Sequence, residues 1–99
     1  MATEALNDAA ILEALQMLDG WERDGDKIVK TFEAGTYPQG LAFATAAGMV
    51  ADGMNHHPED FSIGWKKVTI SFTTHDAGSK ITQKDIDAAQ AINKIGIRT

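Results

Sequence analysis

The chain holds three histidines, His56, His57 and His75, and all of them fall within 20 consecutive positions of its 99 residues. An unperturbed imidazole titrates near pH 6.5, so it gives or takes a proton at neutral pH with little driving-force penalty. Gathering every such side chain into one window suits a site that needs an acid and a base together. His56 and His57 are adjacent and stand directly before Pro58. A proline disfavours helical backbone in the residue before it, so His57 is held extended. Neighbouring extended residues point to opposite sides, which gives the two imidazoles distinct roles.

Two chemistries and one bland alternative follow. Three imidazoles can hold zinc with water as the fourth ligand. Histidine ligands usually sit two or four residues apart on a regular element, where their nitrogens converge, and an adjacent pair converges poorly. Metal-free proton transfer fits the spacing better. A merely structural cluster stays open beside both. Asp52 lies about one helical turn before His56 and can orient an imidazole or cap a solvated helix end. Asp85 is first of all a helix-cap acid, which the helix start can also present toward His75. Trp21 and Trp65 are core or edge aromatics by habit, although a flat ring can lie against a planar ligand.

The flanking sequence says which elements hold these groups. Asn7-Asp8 is a helix start, and Ile11, Leu12, Leu15 and Leu18 recur at helical spacing up to a stop at Gly20. Trp21 opens a strand, Asp24-Gly25 is a hairpin turn, and "KIVKTFE" is the second strand. Thr36 caps a second helix with Pro38 in its first turn, ending near Gly53. "FSIGW" reads as a third strand, Lys66-Lys67 as the turn, and "VTISFTTH" as a fourth strand ending at His75. Thr82, Asp85, Ile81 and Ile86 form a capping box and hydrophobic staple for a last helix over residues 83–95, stopped by Gly96. The order α-β-β-α-β-β-α, with two hairpins, predicts an α+β two-layer sandwich: a four-stranded antiparallel sheet with the helices on its one apolar face. In that topology the third strand begins at the sheet end where the fourth finishes, so all three histidines meet there.

The totals narrow the function. Ninety-nine residues suit one domain over residues 1–99, with one modest core. The net charge of −5 argues against unaided binding to nucleic acid or an anionic membrane. No apolar run approaches the roughly 18 residues of a membrane span. The N-terminal stretch "MATEALNDAAILEAL" carries acids where a secretory signal carries bases, so it reads as mature protein. The lack of cysteine excludes a disulfide framework and fits a cytoplasmic setting.

With these residues in hand, the sequence resembles the pterin-4a-carbinolamine dehydratases. Asp52-Gly-Met-Asn55-His56-His57-Pro58, then Trp65, His75 and Asp85 at their spacings, looks like the family's signature. The resemblance runs over almost the whole chain and includes Gly20-Trp21, the Asp-Gly hairpin and the Thr-x-x-Asp helix start. It implies the same fold, and a reaction: loss of water from 4a-hydroxytetrahydrobiopterin, or a related 4a-hydroxytetrahydropterin, to give quinonoid dihydropterin. No cofactor is implied, and the adjacent histidine pair and the lack of cysteine lead to the expectation of no metal. Such a substrate is made by aromatic amino acid hydroxylases, notably phenylalanine hydroxylase, so the implied role is recycling of their tetrahydrobiopterin. His56 and His75 match the family's acid/base positions and His57 a position linked mainly to substrate binding; Asp85 completes the expected catalytic set. Asn55, Pro58, Thr73, Thr74 and Asp76 match its binding segments, with Asp52, Trp65 and Trp21 in support. The family pairs sheet edges between subunits, so a homodimer or larger homo-oligomer is expected. The alternative is a dehydratase-like interaction module, of the transcriptional coactivator type, with incidental activity.

Overall fold

The structure, a computed structural model, describes residues 4–96. Its elements are α1 (Asp8–Gln16), β1 (Glu22–Asp24), β2 (Lys27–Glu33), α2 (Tyr37–Gly53), β3 (Asp60–Ile63), β4 (Lys67–Phe72), a 3₁₀ turn (His75–Ala77) and α3 (Gln83–Ile95). The four strands form one antiparallel sheet in the order β1-β2-β4-β3. The architecture is therefore the α+β sandwich expected from the element order.

The sheet's period-two pattern builds the core. Ile28 pairs with Phe72 and Phe32 with Val68, and these side chains, with Ile70, are buried. They pack under Phe43, Ala44, Ala47 and Ala51 of α2 and Ile86, Ala88, Ala89 and Ile92 of α3. Small residues let α2 lie close: a Cβ placed on Gly48 would meet the Phe61 ring at 3.4 Å. On the other sheet face Thr31 and Thr69 share a hydroxyl hydrogen bond of 3.0 Å.

Local signals account for the ends of the elements. Asn7 Oδ1 accepts from the Ala10 amide at 2.8 Å, and Thr36 Oγ1 accepts from the Gln39 amide at 3.2 Å. The hairpin turn uses Gly25 at φ 64°, a conformation that costs glycine little. At α3 the Lys84 amide donates to Thr82 Oγ1 (3.2 Å) and the Thr82 amide donates to Asp85 Oδ2 (2.8 Å), the reciprocal pair of a capping box.

Several boundaries differ from the sequence reading. Helix α1 ends at Gln16 rather than near Gly20, because Met17 and Leu18 tighten to i→i−3 bonds on Ala14 and Leu15. Leu12 is mostly exposed, so the expected apolar stripe is narrower than its spacing implies. Trp21 does not open a strand; it lies buried before β1, edge-on to Phe32, with its Nε1 donating to Asn93 Oδ1 at 2.9 Å. Strand β3 stops at Ile63, which leaves Trp65 in the turn, 75% exposed, with the Lys66 ammonium 4.6 Å above its ring. Lys67 belongs to β4, paired with Glu33, rather than to the turn. Strand β4 ends at Phe72, its last residue paired with β2, one place after pairing with β3 has ended at Ser71; Thr73 Oγ1 donates instead to the Asp26 carbonyl at 2.7 Å. His75 thus starts the 3₁₀ turn instead of closing the strand. No helix among the described residues is long and apolar enough to cross a membrane.

Candidate active site

The end of α2 turns sharply to deliver the histidine pair. Asn55 takes φ 55°, the left-handed conformation that asparagine tolerates better than most residues, and the His56 amide donates back to the Ala51 carbonyl at 3.0 Å. This reversal folds His56 inward over the sheet end. Its ring stacks on Phe72, with centroids 5.6 Å apart and planes 14° from parallel. Its Nε2 meets Asp85 Oδ1 at 2.6 Å, and the carboxylate is fully buried.

Asp85 is held from three sides. Besides His56, Thr74 Oγ1 donates to its Oδ2 at 2.9 Å, and the Thr82 amide donates to the same oxygen. Thr74 Oγ1 and Thr82 Oγ1 lie 2.7 Å apart. Since the Thr74 hydroxyl proton goes to Asp85, the Thr82 hydroxyl donates to Thr74. The chain of donors thus runs from the Lys84 amide through both threonines to the carboxylate. With Nε2–H of His56 directed at Asp85, Nδ1 is the ring nitrogen left to act as an acceptor.

The other two histidines are open to solvent. His57 Nε2 meets Asp52 Oδ1 at 2.9 Å, with both side chains more than half exposed. An ion pair this exposed adds little stability and serves orientation at most. His75 Nε2 pairs with the Glu59 carboxylate. That hydrogen bond, and then the Glu59 charge, raise the His75 pKa above the ordinary value for a histidine; Asp76 adds to the effect and partial desolvation opposes it. Glu59 is fixed by its own amide, which donates to the Ser71 carbonyl at 2.7 Å.

A cavity of about 300 Å³ joins these groups. Its walls are Asn55, His56, His57, Pro58 and Glu59 from the α2–β3 link, Thr73, Thr74, His75 and Asp76 from the chain after β4, and Lys84 from α3. Such a volume is at the small end of ligand sites and suits a compact ring system. The three histidines and the expected binding residues Asn55, Pro58, Thr73, Thr74 and Asp76 therefore line one space, while Asp85 lies buried behind His56 and outside that lining, and two details depart from the sequence reading. Asp85 supports His56 rather than His75, because the first turn of α3 meets the Thr74 segment and the end of α2. Asp52 meets an imidazole, as the sequence reading allowed, and that imidazole is His57. Trp21 and Trp65 do not line the cavity: one is core, and the other sits in the β3–β4 turn.

Two lining residues escaped the sequence reading, Glu59 and Lys84. Glu59 stands one place beyond Pro58, yet nothing in "HHPED" connects it to His75. Only the register of β3 on β4, with Asp60 opposite Ser71, brings them together. Among the described residues no three histidine, cysteine, aspartate or glutamate side chains are grouped as metal ligands would be.

This combination defines a small α+β protein with a histidine-lined cavity, each of whose three imidazoles meets a carboxylate. The sequence pattern of the family described as pterin 4 alpha carbinolamine dehydratase matches residues 4–95, and the chain belongs to that family. A protein of Natronomonas pharaonis, provisionally named a pterin-4-alpha-carbinolamine dehydratase, is 51% identical over 80 residues, 81% of this chain and 85% of that one. Another of the same provisional name, from Roseiflexus sp. (strain RS-1), is 48% identical over 95 residues, 96% of this chain and 99% of its own. Among solved structures, a transcriptional coactivator/pterin dehydratase from Brucella melitensis superimposes with a TM-score of 0.85 at 26% identity, over 93% of this chain and 98% of that one. A pterin dehydratase-like protein described as a RuBisCO assembly factor in the alpha-carboxysome shares the fold, with a TM-score of 0.66 at 21% identity, over 81% of this chain and 93% of that one.

Proposed function

We propose that the protein dehydrates a 4a-hydroxytetrahydropterin, of the 4a-hydroxytetrahydrobiopterin type, to the quinonoid dihydropterin and water. The observation that carries this reading is the pairing of a buried Asp85–His56 couple with a second carboxylate-backed imidazole, His75, on one cavity. Dehydration breaks the C4a–O bond and removes the N5 proton, so it needs one group to protonate the departing hydroxyl and one to receive the ring proton. His56 and His75 supply the two proton-transfer groups. Asp85 fixes the His56 ring and stabilises the imidazolium that forms when it takes a proton, as a buried carboxylate does for histidine in other enzymes. His57, with Asn55, Pro58, Thr73, Thr74 and Asp76, serves recognition of the ring's polar edge. No cofactor or metal is needed for the step.

The physiological setting that suits this reaction is recycling of the tetrahydrobiopterin used by aromatic amino acid hydroxylases such as phenylalanine hydroxylase, in the cytoplasm. The chain would act as one domain over residues 1–99, as a homo-oligomer joined through a sheet edge and without nucleic acid. The deciding experiment is turnover of synthetic 4a-hydroxytetrahydropterin, followed as quinonoid product above the spontaneous rate. A rate no higher than that of buffer defeats the proposal.

A second reading is an interaction module. It is supported by the exposed apolar side chains Met49, Phe61, Ile63 and Trp65, and by the assembly factor that shares the fold. The same assay separates the two, because a module without catalysis leaves the spontaneous rate unchanged.

A further inference from the structure

We propose that Glu59 is a positioning residue that makes His75 the acid of the pair, which leaves His56 as the base. This rests on the dehydratase reading and assigns direction to its proton transfers. Glu59 reaches His75 from the rigid link behind Pro58, its amide held on the Ser71 carbonyl. It lines the histidine cavity and also the neighbouring hollow formed with Asp24, Asp26, Lys27, Thr73 and Ser79. Its carboxylate takes the Nε2 proton of His75 in a hydrogen bond, which leaves Nδ1 as the ring nitrogen for a ligand.

His56 and His75, the two histidines assigned to proton transfer, are not equivalent. His56 lies against Phe72 with its side chain 11% exposed, whereas the His75 side chain is 68% exposed. A solvated imidazole beside a carboxylate exchanges protons readily with water and is biased toward its charged form. The charged groups facing His75 are Glu59 from the α2–β3 link, Asp76 from its own turn and Lys84 from α3, with His56 and His57 across the cavity. Two carboxylates against one ammonium favour the charged ring, in keeping with its raised pKa.

The step then balances. The Nδ1 proton of His75 goes to the 4a-hydroxyl, the C4a–O bond breaks with its electron pair to oxygen, and water leaves. The N5 lone pair forms the C4a=N5 bond, and the N5 proton passes to Nδ1 of His56. His56 then releases a proton to solvent and His75 takes one up, which restores both rings with no redox partner.

The test compares wild type with Glu59→Gln, which keeps the side chain's size and removes its charge. The rate above background is followed against pH, and the three imidazoles are titrated by NMR in the free protein. Activity that needs protonated His75 falls as pH rises through its pKa, a value Glu59 raises. The expected result is that Glu59→Gln moves the alkaline limb of kcat/KM to lower pH and lowers the His75 midpoint in parallel. Glu59→Asp, which restores the charge, should recover part of both shifts. A lowered His75 midpoint with an unmoved alkaline limb overturns the acid assignment while the dehydratase reading stands. An unmoved His75 midpoint overturns the role of Glu59. A wild type with no turnover removes the dehydratase reading, and this assignment with it.

Discussion

His56 and His57 are neighbours in the chain, yet their surroundings could hardly differ more. One is stacked on Phe72 and bonded to a buried carboxylate, and the other stands in solvent beside Asp52. The consequence is a division of labour that steady-state kinetics can read. Removing a single general acid or base typically costs about 10²–10⁴-fold. His56→Ala and His75→Ala should each lose activity in that range, chiefly in kcat, while His57→Ala should lose more in KM. Near-normal turnover in all three would mean that the cluster is not a proton-transfer site. Asp85 differs again, since it serves both the site and the start of α3. Asp85→Ala should reduce kcat and also lower stability by about 1–3 kcal/mol, because Thr74 and the Thr82 amide lose their acceptor in a buried place. A melt that leaves Asp85→Ala as stable as wild type would contradict that double role. At this scale the sequence exposes residue types and spacing, which is why the three histidines and Asp85 stand out unaided. It hides partners, because Glu59–His75 and Asp85–His56 are separated by 16 and 29 positions and are joined only by strand register and helix docking.

Elements were legible where their signals are local. The caps at Asn7, Thr36 and Thr82 and the Asp-Gly turn depend on side chains within three or four residues, and each is found where its chemistry puts it. Strand ends are set by partners instead. β4 carries strand-like residues up to Thr74 but stops at Phe72, and β3 stops at Ile63 short of Trp65, because pairing ends there. Leu12 shows the same limit for helices, since periodicity marks a face but not how far the rest of the protein covers it. Glycines in α2 give this scale a test. Gly53 ends α2 without a positive φ, and a Cβ there would meet nothing within 4 Å. Gly53→Ala should therefore stabilise the protein by about 0.5–1 kcal/mol, through lower backbone entropy in the unfolded chain and better helix propensity. In a domain of this size that is a rise of roughly 2–8 °C in the melting midpoint. Gly20→Ala should do the opposite, because Gly20 sits at φ 82° and its Cβ would come within 2.6 Å of Lys30 Cε. A melt in which Gly53→Ala lowers the midpoint would show that the end of α2 needs glycine for a reason its geometry does not reveal.

On the scale of the whole molecule, the two sheet edges are built differently. Edge β1 is a three-residue strand, Glu22-Arg23-Asp24, short and charged, which are the features that discourage pairing with another chain. Edge β3 lacks that protection over its apolar positions. Phe61 and Ile63 pair with Ile70 and Val68 and so belong to the core face, yet they remain 37% and 47% exposed. Met49 on α2 and Trp65 in the adjoining turn are exposed as well. An open edge beside partly bare apolar side chains is relieved by pairing with a second copy, and antiparallel pairing of two β3 strands about a two-fold axis would extend the sheet across both subunits. A chain of 99 residues also gains buried area by such association. Light scattering should therefore give at least twice the chain mass of 10.7 kDa at micromolar concentration and above. Ile63→Lys, which puts a charge on the edge without touching the histidine cavity, should shift the population toward the single chain. A wild type that scatters as a single chain across a wide concentration range would refute pairing through β3. An Ile63→Lys variant that keeps the larger mass would move the interface to another face.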